Sequence, residues 1–101
     1  MQNYRIWEGE RTFLPGDDAS KYKVFEITGE ELGWFEDVNQ DGFSGTAYYV
    51  YQTSEGEVVI NIVERKYSLG EPSRAVIYRF SSLEEAAQSE QRYALEELRL
   101  I

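Results

Sequence analysis

The chain has four aspartates, and they fall in two short glycine-containing segments: Pro15-Gly16-Asp17-Asp18 and Asp37-Val38-Asn39-Gln40-Asp41-Gly42. The second has the form D-x-N-x-D-G, the opening half of a calcium loop of EF-hand type. Oxygen side chains at alternate positions, followed by a glycine that permits a sharp turn, can curl a backbone around one hard cation. Asp37, Asn39 and Asp41 take the first, third and fifth positions and Gly42 the sixth; Phe43 would offer its backbone carbonyl at the seventh. The pattern then departs from an EF-hand. The twelfth position is Tyr48 where a bidentate glutamate belongs, and the flanking segments read as strands where an EF-hand has helices. What remains is a half loop between two strands that needs further ligands from elsewhere. The same residues also suit a plain turn, because Asp-Gly is favoured in hairpins and Asn and Asp tolerate left-handed backbone.

Composition narrows the alternatives. At 101 residues the expectation is a single α+β domain spanning 1–101, and 42% hydrophobic with 15% aromatic content is that of a folded chain. There is no histidine and no cysteine, so disulfides, thiolate or imidazole zinc sites, cysteine nucleophiles and Ser-His-Asp arrangements are all excluded. A hard cation held by oxygen is the one common type of metal site left. Nineteen acidic against ten basic residues give a formal charge of −9, which repels nucleic acid and anionic membranes and attracts cations or a basic protein partner. No apolar segment follows the amino terminus in the manner of a signal peptide, and no apolar run is long enough to span a bilayer as a helix. The expected location is cytoplasmic.

The elements that must position the loop follow from periodicity. Strands are expected at 4–14 (broken near Gly9), 21–28, 32–36, 46–53, 57–67 and 75–80, with Gly29-Glu30-Glu31 as a break between the second and third. In 46–53, Tyr48 and Val50 share one face and Tyr49 and Tyr51 the other. The VVINIV run in 57–67 is apolar on both faces and reads as the central strand. Ser82 with Glu85 forms a capping box, and Leu83, Ala87, Ala94, Leu98 and Ile101 recur at helical spacing, so 82–100 is expected to be one amphipathic helix. The predicted architecture is an antiparallel five- to six-stranded meander with one C-terminal helix.

In a six-stranded meander, loops one, three and five share an end of the sheet. Asp17 and Asp18, the 37–43 loop, and Glu71 with Glu64 nearby would then lie on one rim, and they or Glu36 could complete a Ca²⁺ shell. Crowded carboxylates repel one another, a cost that a bound divalent cation would reverse.

A small acidic chain in which DVNQDGFSG, Asp37 to Gly45, joins two strands resembles the cyanobacterial non-EF-hand calcium-binding protein family associated with heterocyst differentiation. The resemblance implies a protein that sequesters cytosolic Ca²⁺ in vegetative cells and is removed on differentiation. It would carry over Asp37, Asn39 and Asp41 as ligands of the main site, and a weaker second site would draw on Asp17 and Asp18.

The first functional expectation is thus a cytosolic calcium buffer or sensor, not an enzyme. The adjacent acid pairs Glu30-Glu31, Glu84-Glu85 and Glu96-Glu97 point apart and do not form a two-carboxylate catalytic site. The alternative is an acidic interaction module, an inhibitor, immunity protein or nucleic-acid mimic, that binds a basic partner through overall charge and does not depend on Asp37.

Overall fold

The computed structural model describes residues 1–12, 21–66 and 72–101. Among them are five strands, β1 Gln2–Arg11, β2 Tyr22–Val38, β3 Ser44–Thr53, β4 Val58–Lys66 and β5 Ser73–Phe80, and two short helices, α1 Leu83–Ala87 and α2 Arg92–Glu97. The strands follow one another around a closed antiparallel barrel, β5 returning to β1. The fold is therefore sheet-dominated rather than α+β, and two sequence expectations are corrected.

First, the segments 21–28 and 32–36 are one strand. β2 runs through the expected break with only a register shift between Glu31 and Gly33. Its first half pairs with β1, its second half with β3, and Gly29 belongs to both ladders, opposite Gln2 and Thr53. A Cβ at Gly29 would lie 2.0 Å from the Gln52 carbonyl oxygen, so only glycine lets β3 approach this corner. The corner is needed for closure. Five straight strands joined up and down would leave the first and last running the same way, yet β1 and β5 pair antiparallel through Gly9–Ala75, Glu10–Arg74 and Arg11–Ser73. Gly9 is the counterpart of Gly29. It sits in the ladders to both β2 and β5, at φ 119°, where a Cβ would lie 2.4 Å from the Lys21 carbonyl oxygen.

Second, the helix expected over 82–100 is broken. Ser82 Oγ accepts from the Glu85 amide at 3.1 Å as the capping box requires, while the Glu85 carboxylate reaches back one residue further, to Ser81. At the break, Ser89 Oγ donates to the Ala86 carbonyl at 2.6 Å and accepts from the Gln91 amide at 3.0 Å. A serine that bonds its own backbone in this way competes with helix continuation. Arg92 Nη1 then donates to the Ala87 carbonyl at 3.0 Å, closing the end of α1. α2 ends with Leu100 N bonded to Leu95 O and Arg99 N to Glu96 O, with Arg99 at φ 57°: a Schellman closure in a place that favours glycine.

β4 is buried on both faces, as its apolar run predicts. Val58 and Ile60 join Val50, Ala86, Ala94 and Leu95 in the cluster under the helices. Val59 joins Ile6, Ile27 and Tyr51, and Val63 joins Ala47 and Ala75, inside the barrel. Tyr48 falls with the helix-side cluster, and Tyr49 packs on the interior ones, dividing the tyrosines of β3 as the alternation requires. No helix among the described residues is long and apolar enough to cross a membrane.

The barrel is closed only at one end of the β1–β5 seam. Just beyond the ladder, the buried Asn61 side chain on β4 donates through Nδ2 to both Trp7 O on β1 and Val76 O on β5, at 2.9 Å each. Replacing Asn61 with leucine keeps the branched shape but leaves both carbonyls without this donor. The expected cost is about 2–4 kcal/mol in urea unfolding; a loss under about 0.5 kcal/mol would show that the bridge does not hold the seam. Arg99→Gly removes a left-handed non-glycine residue and is expected to raise stability by about 1 kcal/mol, checked by the same melts.

Candidate functional site

The β2–β3 connection is wound by its own polar groups. Asn39 N donates to Ser44 O at 2.9 Å and Gly42 N to Asn39 O at 3.0 Å, with Gly42 at φ 72°. Asp41 Oδ1 accepts from the amides of Phe43 at 2.8 Å and Ser44 at 3.2 Å, and Oδ2 accepts from Ser44 Oγ at 3.2 Å. Asn39 Nδ2 donates to the same hydroxyl at 2.7 Å. These bonds, the Phe43 amide foremost, hold the Asp41 carboxyl below its ordinary pKa of 3.8. Asp37 is engaged elsewhere: still within β2 opposite Thr46, it accepts at Oδ2 from the Tyr93 hydroxyl of α2 at 2.7 Å. The Tyr93 ring meets Phe35 and Tyr48 edge-on, and those two stack on each other, so the Asp37 bond completes an aromatic latch between helix and sheet.

Asp41 thus faces its own loop and Asp37 faces α2. Phe43 is exposed at the loop tip, and Glu64 lies on β4 opposite Arg74 of β5. Asp17, Asp18 and Glu71 lie outside the described residues. Among the described residues, no three acids come together in a group that could hold a metal ion.

Among the described residues, several strand ends do meet on one rim. Arg11 stands opposite Ser73 and Ser44 opposite Lys66, so β1, β5, β4 and β3 all end or begin together. The corner in β2 does the topological work assigned to a loop. The described part of that rim is rich in cations, however. It opens on a cavity of about 480 Å³ whose wall includes Arg5, Arg11, Arg65 and Lys66. These are four of the chain's ten basic residues, and no acid is among the described residues that line the cavity. Trp7, Tyr49 and Tyr51 supply aromatic wall, and Asn61, Val63 and Ser73 complete it.

Local contacts hold these groups in place. The Arg65 guanidinium donates through Nη2 to the Tyr49 hydroxyl, and Tyr49 in turn stacks on Trp34 with centroids 5.8 Å apart. Arg65 Nε is buried and makes no hydrogen bond; Glu36 Oε2 stands 3.8 Å away, an ion pair beyond hydrogen-bond length. The Arg11 guanidinium lies 4.8 Å from the centroid of the Tyr22 ring, whose edge meets Trp7. Arg74, by contrast, forms an ion pair with Glu10 at 2.8 Å and does not line the cavity.

Local sequence patterns do not reveal this cavity. The available sign was parity: Tyr49 and Tyr51 on β3, and Asn61, Val63 and Arg65 on β4, all odd-numbered, place tyrosines, an asparagine and an arginine on the face that closes inward.

The Asp37 bond gives a pH signature. It raises the Tyr93 phenol from 10.0 to about 12, because ionising the hydroxyl would remove the donor and set two negative charges together. A pKa raised on folding contributes stability that is whole below about pH 10 and lost as pH rises through about 12. Wild type should therefore exceed Tyr93→Phe in stability by a constant margin up to about pH 10 that shrinks above it. Tyr93→Phe should also lose one late-titrating phenol from the tyrosinate absorbance curve. Loss of a phenol that titrates near pH 10 instead would mean that Asp37 does not hold this hydroxyl.

No family model, curated protein or solved structure matches the chain.

Proposed function

We propose that this chain is a non-catalytic binding protein whose ligand enters the cation-lined mouth of the barrel. The observation that carries this reading is the cavity itself. A volume of about 480 Å³ falls in the range of preformed small-molecule sites, and its mix of aromatic wall with a few fixed polar groups is the usual composition of such sites. The lack of histidine and cysteine, together with the absence of carboxylates among the described lining residues, supports binding without chemistry.

Calcium binding is the second reading. It is supported by the D-x-N-x-D-G spacing, by the likeness of Asp37 to Gly45 to the cyanobacterial calcium-binding family, and by the shared rim of the strand ends. It requires Asp37, now directed at α2, and Asp41, now directed at its own loop, to converge on one ion, with further ligands from Asp17, Asp18 or Glu71. The cations on the same rim weigh against it.

Amide chemical-shift mapping separates the two. A small-fragment library is expected to give binders that move Asn61, Val63 and the Trp7 indole, and Val63→Phe, which fills the cavity, should abolish those shifts while leaving the circular dichroism unchanged. Ca²⁺ added to chelator-treated protein is expected to leave residues 37–44 unmoved. Saturable Ca²⁺ shifts there, lost in Asp37→Ala, would replace the first reading by the second. Fragment shifts that survive Val63→Phe would remove the cavity as the site.

A further inference from the structure

We propose, building on the barrel mouth as the binding site, that its ligand is a planar organic anion: an aromatic or heteroaromatic ring bearing a carboxylate or phosphate. Three observations carry this. The first is charge segregation. In a chain of formal charge −9, the described part of the cavity wall holds four cations and no acid. The field of the whole protein repels anions, so this local reversal acts only at short range and selects a ligand small enough to enter the mouth.

The second observation is the Arg65 side chain. Its Nη2 is taken by the Tyr49 hydroxyl, while its Nε is buried with no hydrogen-bond partner. A buried, charged N–H without an acceptor is costly, and Glu36 at 3.8 Å does not supply one. Arg65 also lines the cavity, so an oxyanion there would meet a guanidinium that Glu36 only partly satisfies, in a charge-assisted bond of the stronger class. Arg5 and Lys66 add positive charge to the same wall.

The third is the ring surface. Trp7, Tyr49 and Tyr51 stand in the same lining. Two of their rings are already held: Tyr49 by Trp34 and Arg65, and Tyr51 by Tyr4 with centroids 5.0 Å apart. Fixed aromatic faces cost a ligand little ordering entropy and favour a flat partner over a flexible one. A free inorganic ion would use the cations and leave these faces unused; a neutral ring would do the reverse. A planar anion uses both.

The test is a fluorescence titration of Trp34→Phe, in which Trp7 is the sole tryptophan, against matched probes. 2-Naphthoate and adenosine monophosphate carry ring and charge. 2-Naphthalenemethanol and adenosine carry the ring alone, and cyclohexanecarboxylate and inorganic phosphate the charge alone. The expected result is that at least one ring-and-charge probe binds about tenfold more tightly than both of its partial counterparts. That binding should weaken about tenfold in Arg65→Gln and in Arg5→Gln, weaken with added salt, and remain unchanged in Arg92→Gln on α2. Which probe wins distinguishes a carboxylate from a phosphate ligand. Neutral rings binding as tightly as the anions would overturn this inference and leave the cavity as an apolar site. No probe of any class perturbing Trp7 would overturn both this inference and the barrel-mouth reading.

Discussion

Antiparallel closure of an odd number of strands is the constraint on which the rest of the molecule depends. It cannot be met by straight strands, so β2 turns a corner at Gly29 and β1 changes partners at Gly9. Only a short ladder then joins β1 to β5, and Asn61 extends it by bridging two carbonyls that the departing strands leave behind. The cavity is the space this compromise leaves. A longer β1–β5 ladder would close the mouth, and a lost Asn61 bridge would open the seam.

The same geometry sorts the charges. Among the described residues, no glutamate of a strand or helix is buried, and repulsion at such exposed positions is screened. Cations gather at the end where β1, β3, β4 and β5 meet, and part of their charge is countered locally: Arg74 by Glu10, and Arg65 at longer range by Glu36. A polypeptide with a strong overall sign thus presents a small region of the other sign, held by backbone register rather than by sequence clustering.

Much of the fold was legible in the sequence and the site was not, for different physical reasons. Strand positions, the two-faced burial of β4, the split of the β3 tyrosines and the Ser82–Glu85 cap all follow from local periodicity, which is a property of short windows. The continuity of β2 was misread because Gly29 has two meanings, a loop or a corner, and only its non-local neighbours Gln2 and Thr53 choose between them. The helix break was misread because a side chain bonding its own turn, Ser89 to Ala86, leaves no mark on hydrophobic spacing. The spacing of the aspartates is, by contrast, a local pattern. Within 37–44 they bond Tyr93, Phe43 and Ser44, and the cations that line the cavity come from residues 5, 11, 65 and 66, which nothing short of the barrel register unites.

The seam between Arg11 and Ser73 also sets an order of events during synthesis and refolding. β2, β3 and β4 can zip through neighbouring hairpins, each closing a short loop. β1 gains its second neighbour only after nearly three quarters of the chain has left the ribosome, and the entropy of that long loop is recovered only at the final docking. Until then its unpaired edge and the ring of Trp7 are open to other chains, and no cavity exists. The contact between the first and fifth strands is the one that encloses the interior.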